Sequence, residues 1–274
     1  MLYNFTQSTK PSQSHNQLTT RLLSGVGDAL GYRNQLWEYN DSEPAIHQEL
    51  QELGGLKNIT AQLPDWPVSD DTVLHLATAE ALATGKEGEE LLQDVAARHE
   101  RHGRKETRAI KHLRQHIIFC RELKGASECP YSPDGTGCGA AMRSMCIGLC
   151  VYPCPEQLST LVAIAVETGR MTHPHPTVFL GAVVSALFTS YAVQCRPITT
   201  WGLGLVKEAC PIAKSFCLIS GLCCQGDRET GDTSLRSGSD WVRLLLAPLI
   251  IIIILGWAIT KALATMKLRS VADQ

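Results

Sequence analysis

The chain has 274 residues and a nearly balanced charge, with 25 basic and 27 acidic residues. This length suits one large domain or two small ones, and the balanced charge gives no global field that would favour nucleic acid as a partner. The eleven cysteines form no C-x-x-C pair, and the polar first twenty residues contain no apolar signal core. We therefore expect reduced thiols in the cytosol and not the disulfide framework of a secreted protein.

The sequence predicts an all-α domain over residues 21–220, preceded by a disordered polar segment over 1–20. From Arg21 onward, apolar residues recur at helical spacing between loops that contain Gly and Pro. Three helices are predicted most clearly. They cover 73–82, with Val73, Leu76, Ala77 and Glu80 on one face; 156–168, with Leu158, Leu161, Val162 and Ala165 on one face; and 177–193, which is apolar throughout and expected in the core.

The tetrapeptide Ser69-Asp70-Asp71-Thr72 stands directly before the first of these helices. Ser and Asp are common N-cap residues, because their oxygens accept hydrogen bonds from free backbone amides and suit the helix dipole. Adjacent carboxylates flanked by hydroxyls are also the hard oxygen ligands that Mg²⁺ prefers. Capping is the more common role of such a tetrapeptide, and the residues by themselves leave both roles open.

A glycine turn, Gly137-Cys138-Gly139, precedes a helix predicted over 140–149. Glycines allow close approach of backbone amides, and a helix N-terminus attracts phosphate. Such turns also occur for structural reasons alone. Further along, His173-Pro174-His175 has the composition of a metal site, but its prolines favour a rigid turn.

The C-terminal part of the sequence predicts a membrane anchor. Residues 221–240 are rich in Gly, Ser, Asp and Arg, which is typical of a linker. Residues 244–260 carry no charge, and the span 241–263 is long enough to cross about 30 Å of hydrocarbon. A buried core helix or strand would usually be shorter. Since only the tail 264–274 follows, we expect a single-pass, tail-anchored membrane protein whose domain faces the cytosol.

Four strings, in this order, closely resemble the ADP-ribosylglycohydrolase family. They are Gly25-Val26-Gly27-Asp28-Ala29-Leu30-Gly31-Tyr32 with the following Trp37-Glu38, then Ser69–Thr72, then Gly137–Gly148, then Gly169–Thr177. The resemblance covers residues 21–84 and 134–215 and is closest to the members that act on ADP-ribosylated arginine. It implies an all-helical fold and hydrolysis of the N-glycosidic bond between ribose and a protein arginine, with release of ADP-ribose.

The resemblance also implies site residues and partners. Two Mg²⁺ ions are expected, with Ser69, Asp70 and Asp71 as ligands, and with Asp70, Asp71 and Glu38 as catalytic residues. ADP-ribose is expected to contact five residues: Gly137, Cys138 and Gly139 at its diphosphate, and Met171 and His173 along the pocket. ADP-ribosylated arginine proteins are the expected partners, and nucleic acid is not expected.

The chain departs from the family pattern in three places. Residues 85–125 diverge and are rich in Arg and Lys, Val178 stands where the family commonly has Gly, and the resemblance fades near Ser220. The family's second acidic metal motif is matched only faintly, by 226–230. An inactive or weakly ADP-ribose-binding, membrane-anchored pseudoenzyme is therefore an alternative. A third interpretation is a structural membrane protein whose basic segment 98–124 contacts anionic lipid or nucleic acid.

Overall fold

The computed structural model describes residues 24–55, 57–103, 137–151, 157–173 and 175–220. Within these ranges every regular element is helical and no strand occurs, which confirms the predicted all-α class. The chain divides into two compact units, Met1–Ala77 and Thr78–Gln274. The predicted N-terminal segment 1–20, the linker 221–240, the membrane helix 241–263, the tail 264–274 and the basic residues 104–124 lie outside the described residues.

In the first unit the structure describes two helices and the beginning of a third. Helix α1 includes 24–32 and is followed by a tight turn at Arg33–Gln35, in which all three residues have positive φ. Helix α2 covers Glu43–Glu52 and is capped by Ser42, whose hydroxyl oxygen accepts a hydrogen bond from the Ala45 amide. Helix α3 covers Asp70–Leu82, so the predicted helix is confirmed and begins three residues earlier.

The second unit contains most of the described helices. They are α4 (Gly88–Gly103), α5 (Gly139–Met142), α6 (Met145–Cys150), α7 (Leu158–Arg170), α8 (Pro176–Val193), α9 (Trp201–Gly204) and α10 (Cys210–Ile219). A π-helical turn, Leu205–Ala209, joins α9 to α10.

Helix α8 forms the centre of this unit. It is buried along most of its length, and α5, α6 and α7 pack against it, which confirms the predicted core helix. His175 caps it, with Nδ1 accepting from the Thr177 amide at 3.3 Å. Among the described residues α8 is also the helix long and apolar enough to cross a membrane by length and composition. Because most of it is buried among other helices, these properties are those of a core helix.

The prediction of one continuous helix over 140–149 is wrong. Two short helices, α5 and α6, take its place, with a break at Arg143 and Ser144. The Ser144 hydroxyl donates to the Ala140 carbonyl at 2.6 Å, and the Ser144 amide bonds to the Ala141 carbonyl three residues back. A serine that bonds locally to the backbone in this way competes with the regular helical pattern.

The predicted apolar face of α3 is displaced by one residue. The buried positions include Leu74, Ala77, Thr78 and Ala81, whereas Leu76 is 46% exposed. A threonine is tolerated on this face because its hydroxyl forms a 2.8 Å hydrogen bond with His99 Nε2. The face over 158–165 of α7 is as predicted, with Leu161, Val162 and Ala165 buried.

Candidate active site

Ser69 caps the first turn of α3 from a buried position. Its hydroxyl oxygen accepts from the Asp71 amide at 3.1 Å, and its carbonyl accepts from the Val73 amide at 3.3 Å. The capping role that the tetrapeptide suggests is therefore present in the structure. It is compatible with ligand chemistry, because the cap places the two following carboxylates, Asp70 and Asp71, in the first turn of the helix.

Asp28 on α1 connects that helix to the start of α3. Its Oδ2 accepts two hydrogen bonds, from the Ser69 amide at 3.0 Å and from the Thr72 hydroxyl at 2.5 Å. The two segments also approach closely at Gly25, where a Cβ atom would lie 3.6 Å from Thr72 Cγ2. Asp28 was not among the predicted site residues, although it stands in the first string that carries the family resemblance.

An acidic cluster is formed by four residues, Asp28, Glu38, Asp70 and Asp71. Their carboxylates interact electrostatically with one another. The pKa of Asp71 is raised to about 6 by partial desolvation and then by the charges of Asp70, Asp28 and Glu38. Protein atoms surround much of this carboxylate, yet the residue keeps exposed surface. Solvent therefore reaches a group whose negative charge is disfavoured by its neighbours, and a cation would relieve that repulsion.

Glu38 belongs to the same cluster and lies on the exposed loop after α1. Partial desolvation and the charges of Asp70 and Asp28 raise its pKa, while a hydrogen bond from Tyr39 acts in the opposite direction. The structure thus brings together the three residues predicted to be catalytic, Glu38, Asp70 and Asp71.

Contacts to α2 and to Trp66 hold the Glu38 loop in place. Arg33 Nη2 lies 3.3 Å from Glu49 Oε1, and Trp37 Nε1 donates to Glu49 Oε2 at 2.8 Å. The Arg33 guanidinium stacks 4.3 Å above the Trp66 ring, which Trp37 meets edge-on at 5.5 Å. Arg33 is the first residue of the turn with positive φ and Trp37 follows that turn, so these anchors define the path of the backbone that leads to Glu38.

The donor set of the acidic cluster suits Mg²⁺ better than a softer metal. Its ligands are carboxylate and hydroxyl oxygens, and Mg²⁺ is commonly held by one or two carboxylates together with waters and substrate phosphates. In the part of the chain that the structure describes, no three His, Cys, Asp or Glu side chains are grouped closely enough to enclose a metal. The acidic cluster therefore offers an open metal site, built on Asp70 and Asp71.

The glycine turn and His173 lie together in the second unit. Gly137 has φ +128°, which favours glycine, and Gly139 has no room for a side chain because the His173 ring occupies that space, with Nε2 2.9 Å from an ideal Cβ. Cys138 is exposed. Since α5 has only one turn, any anion bound here would depend on the backbone amides of the turn and on His173, and not on a helix dipole.

Met171, the remaining predicted pocket residue, lies in the hydrophobic core. It is 3% exposed and packs with Ala81, Leu91, Val95 and Ala96. The structure therefore brings Gly137, Gly139 and His173 together, while the Met171 side chain belongs to the core and not to an open pocket.

Most of the chain matches one family of known proteins. A family model described as ADP-ribosylglycohydrolase matches residues 20–248. The chain belongs to the ADP-ribosylglycohydrolase family. This family match includes all four strings and the acidic cluster, and it continues past Ser220 into the first eight residues of the predicted membrane helix.

Two curated relatives have names that agree with this family. The protein "ADP-ribosylhydrolase ARH1" of Dictyostelium discoideum is 39% identical over 205 residues, which are 71% of this chain and 52% of the relative. The "Putative ADP-ribosyl glycohydrolase L444" of Acanthamoeba polyphaga mimivirus is 35% identical over 197 residues, or 67% and 38% of the two chains. The chain thus spans about half or less of the length of these relatives.

The raised pKa of Asp71 predicts a stability change with a defined dependence on pH. In the folded chain this carboxyl binds its proton more tightly than in the unfolded chain, so its contribution to stability is lost as pH rises from about 4 to about 6. We expect Asp71→Asn to raise the melting temperature at about pH 7 without divalent cations, and to have little effect near pH 4.

Differential scanning fluorimetry across this pH range would measure the effect. Asp41→Asn, which changes an exposed aspartate outside the acidic cluster, serves as the control. A gain from Asp71→Asn that does not vary with pH would show that ionisation of Asp71 is not its cause.

Proposed function

We propose that this chain hydrolyses the N-glycosidic bond between ADP-ribose and arginine side chains of modified proteins, releasing ADP-ribose. Membership of the ADP-ribosylglycohydrolase family supports hydrolysis of ADP-ribosyl bonds, and the Dictyostelium relative is named as an ADP-ribosylhydrolase. The observation that carries the proposal is the acidic cluster at the first turn of α3, where Asp70 and Asp71 lie within electrostatic reach of Glu38 and Asp28. Arginine as the acceptor is supported by the resemblance of the four sequence strings.

In this proposal Ser69, Asp70 and Asp71 hold Mg²⁺ at the beginning of α3. When bound, the metal polarises the substrate and lowers the pKa of a water molecule. Asp28 fixes the position of these ligands through its bonds to the Ser69 amide and the Thr72 hydroxyl. Desolvation and the repulsion of neighbouring carboxylates, which together raise the pKa of Asp71, favour a cation at this position.

Glu38 is the proposed general base. Its raised pKa makes it a better proton acceptor than an isolated carboxylate, and the anchored loop keeps it beside the cluster. A Glu38 oxygen takes a proton from the attacking water, whose oxygen forms a bond to the anomeric carbon of ribose. The bond from that carbon to the arginine nitrogen breaks, and the guanidine leaves with the electron pair and takes up the proton that Glu38 received, which returns Glu38 to its carboxylate form.

The glycine turn is the proposed contact for the diphosphate of ADP-ribose. Gly137 and Cys138 are exposed, and the absence of a side chain at Gly139 allows the His173 ring to lie against the turn. Backbone amides and a histidine N–H are suitable donors for phosphate oxygens. Cys138 lies between the two glycines and is exposed at the same surface.

A second candidate function is ADP-ribose recognition without turnover. It is favoured by one observation: among the described residues the carboxylates of the acidic cluster do not form a closed group of three ligands. A cation held from one side only would bind weakly. In that case the glycine turn and His173 would bind ADP-ribose, and the acidic cluster would not support hydrolysis.

The two functions are separated by one assay on the full chain. Peptides carrying ADP-ribose on arginine or on serine are incubated with the chain and Mg²⁺, and free ADP-ribose is measured by liquid chromatography. The proposed hydrolase releases ADP-ribose from arginine only. Binding of ADP-ribose in calorimetry without release would establish the second function, and release from serine alone would refute arginine specificity.

We further propose that 241–263 anchor the chain in a membrane with the domain facing the cytosol. The support is the uncharged run 244–260, long enough to cross the hydrocarbon layer. After expression in cells and extraction with alkaline carbonate, the full chain is expected in the membrane pellet, and a control variant ending at Asp240 is expected in the supernatant. Recovery of the full chain in the supernatant would refute the anchor.

A further inference from the structure

A line of hydrogen bonds runs from a buried arginine to the ring of His173. Arg143 lies in the break between α5 and α6 and has no exposed surface. Its Nη2 donates to the Thr172 hydroxyl oxygen at 2.6 Å and to the Thr168 carbonyl at 2.7 Å. The same Thr172 oxygen lies 2.7 Å from His173 Nδ1. These three side chains form a continuous relay that ends at the glycine turn.

The direction of each proton in this relay follows from the chemistry of arginine. A guanidinium has donors only, so the Thr172 oxygen must accept from Arg143. Among the described residues, the Thr172 proton has two acceptors within reach, His173 Nδ1 at 2.7 Å and the Gly169 carbonyl at 3.5 Å. If Nδ1 carried a proton, only the carbonyl would remain for the Thr172 proton, at a distance beyond the usual range of a hydrogen bond. Donation to His173 is therefore favoured, and it requires an unprotonated Nδ1, which leaves the proton of a neutral ring on Nε2.

We propose that Arg143 and Thr172 are positioning residues that fix His173 as its Nε2–H tautomer and direct that donor toward a ligand at the Gly137–Gly139 turn. The proposal rests on the proposed function in one respect only, namely that the ligand is the phosphate-bearing part of ADP-ribose. Neither Arg143 nor Thr172 was a predicted site residue.

The surroundings of Arg143 indicate a role beyond packing. Burial lowers the pKa of the guanidinium to about 10, so it stays protonated at neutral pH and remains a donor. Its Nε and Nη1 are buried without a hydrogen-bond partner among the described residues. Retaining a buried cation with unused donors is costly. The carbonyls at the C-terminal end of α7, at Thr168 and Gly169, offset part of this cost.

The position of the His173 ring matches this role. A Cβ on Gly139 would overlap Cε1 of the ring and lie 2.9 Å from Nε2, and a Cβ on Gly137 would lie 3.8 Å from Nε2. The Cε1–Nε2 edge therefore faces the glycine turn, while Nδ1 faces Thr172. Fixing the tautomer determines whether the turn receives a donor or an acceptor.

Nitrogen NMR of the full chain labelled with ¹⁵N-histidine tests the relay directly. Long-range ¹H–¹⁵N correlations distinguish the two tautomers, and a His173→Gln spectrum identifies the signals. The wild type is expected as the Nε2–H tautomer, Thr172→Ser is expected to retain it, and Thr172→Val is expected to show a mixture. Thr168→Val is the matched control, because the Thr168 hydroxyl donates to the Ile164 carbonyl within α7 and not to the relay.

A wild-type ring protonated on Nδ1 would overturn the proposal, and so would an unchanged spectrum in Thr172→Val. The wild-type spectrum decides the tautomer even if Thr172→Val fails to fold.

ADP-ribose affinity, measured by calorimetry, is expected to fall about 10-fold in Thr172→Val and less than about twofold in Thr172→Ser and Thr168→Val. Failure of the wild type to bind ADP-ribose would refute the proposed ligand. The hydrogen-bond relay would still be tested separately, by the tautomer seen in the NMR spectrum. If Thr172→Val changes the tautomer of His173 but not the affinity for ADP-ribose, the proposal that His173 Nε2–H points toward that ligand would be refuted.

Discussion

Asp70→Asn and Asp71→Asn are each expected to reduce ADP-ribose release from ADP-ribosylated arginine by about 100-fold or more. Loss of a residue that only supports a metal ligand commonly costs about 10- to 100-fold, and loss of the ligand itself costs more. Asparagine keeps the size of the side chain and the helix start while removing the negative charge that holds the cation. Initial rates of the full chain and its variants, measured with excess Mg²⁺, give the comparison.

Two controls make this result specific to the acidic cluster. Asp41→Asn removes a carboxylate from the exposed loop before α2 and should leave the rate unchanged. Circular dichroism should show the same helix content in all variants. Turnover that survives both Asp70→Asn and Asp71→Asn would place the chemistry elsewhere, and the proposed mechanism would lose its basis.

Gly148→Ala is expected to destabilise the second unit by about 3 kcal/mol or more. Gly148 lies on α6 where this helix touches α8, and an ideal Cβ there would overlap the Ala186 carbonyl oxygen and lie 2.9 Å from the Ser190 amide nitrogen. Both obstacles are backbone atoms of a buried helix, so neither can move aside cheaply. Urea unfolding followed by circular dichroism would measure the change.

Gly202→Ala is the matched control for this prediction. Gly202 lies in α9, and an ideal Cβ there meets nothing within 4 Å. Since alanine favours helix by up to about 1 kcal/mol over glycine, this variant should be as stable as the wild type or slightly more stable. Equal unfolding midpoints for Gly148→Ala and the wild type would show that α6 and α8 are not in close contact.

The sequence predicted the helices well because their signals are local. The apolar run that becomes α8 and the Ser69-Asp70-Asp71 start of α3 lie within single short segments. The buried face of α3 was misplaced because a local pattern ranks Thr78 as polar. Its burial depends on His99, which stands 21 residues away in the sequence. The break between α5 and α6 has a different cause, a local bond from the Ser144 hydroxyl to the Ala140 carbonyl that the apolar pattern does not report.

The site was predictable to the extent that its residues stand in recognisable strings. Ser69, Asp70, Asp71 and Glu38 were identified in this way, and the structure groups the three acids among them with Asp28. Asp28 was missed because its role depends on bonds to residues 41 and 44 positions away. Arg143 was missed because nothing in a sequence string marks an arginine as buried.

Calorimetric titration with Mg²⁺ tests most directly whether the first turn of α3 holds the cation required for hydrolysis. The full-length wild type and a variant combining Asp70→Asn with Asp71→Asn are titrated side by side, without substrate. We expect Mg²⁺ binding in the wild type and none in the variant over the same concentration range. Equal binding by both proteins would contradict the account.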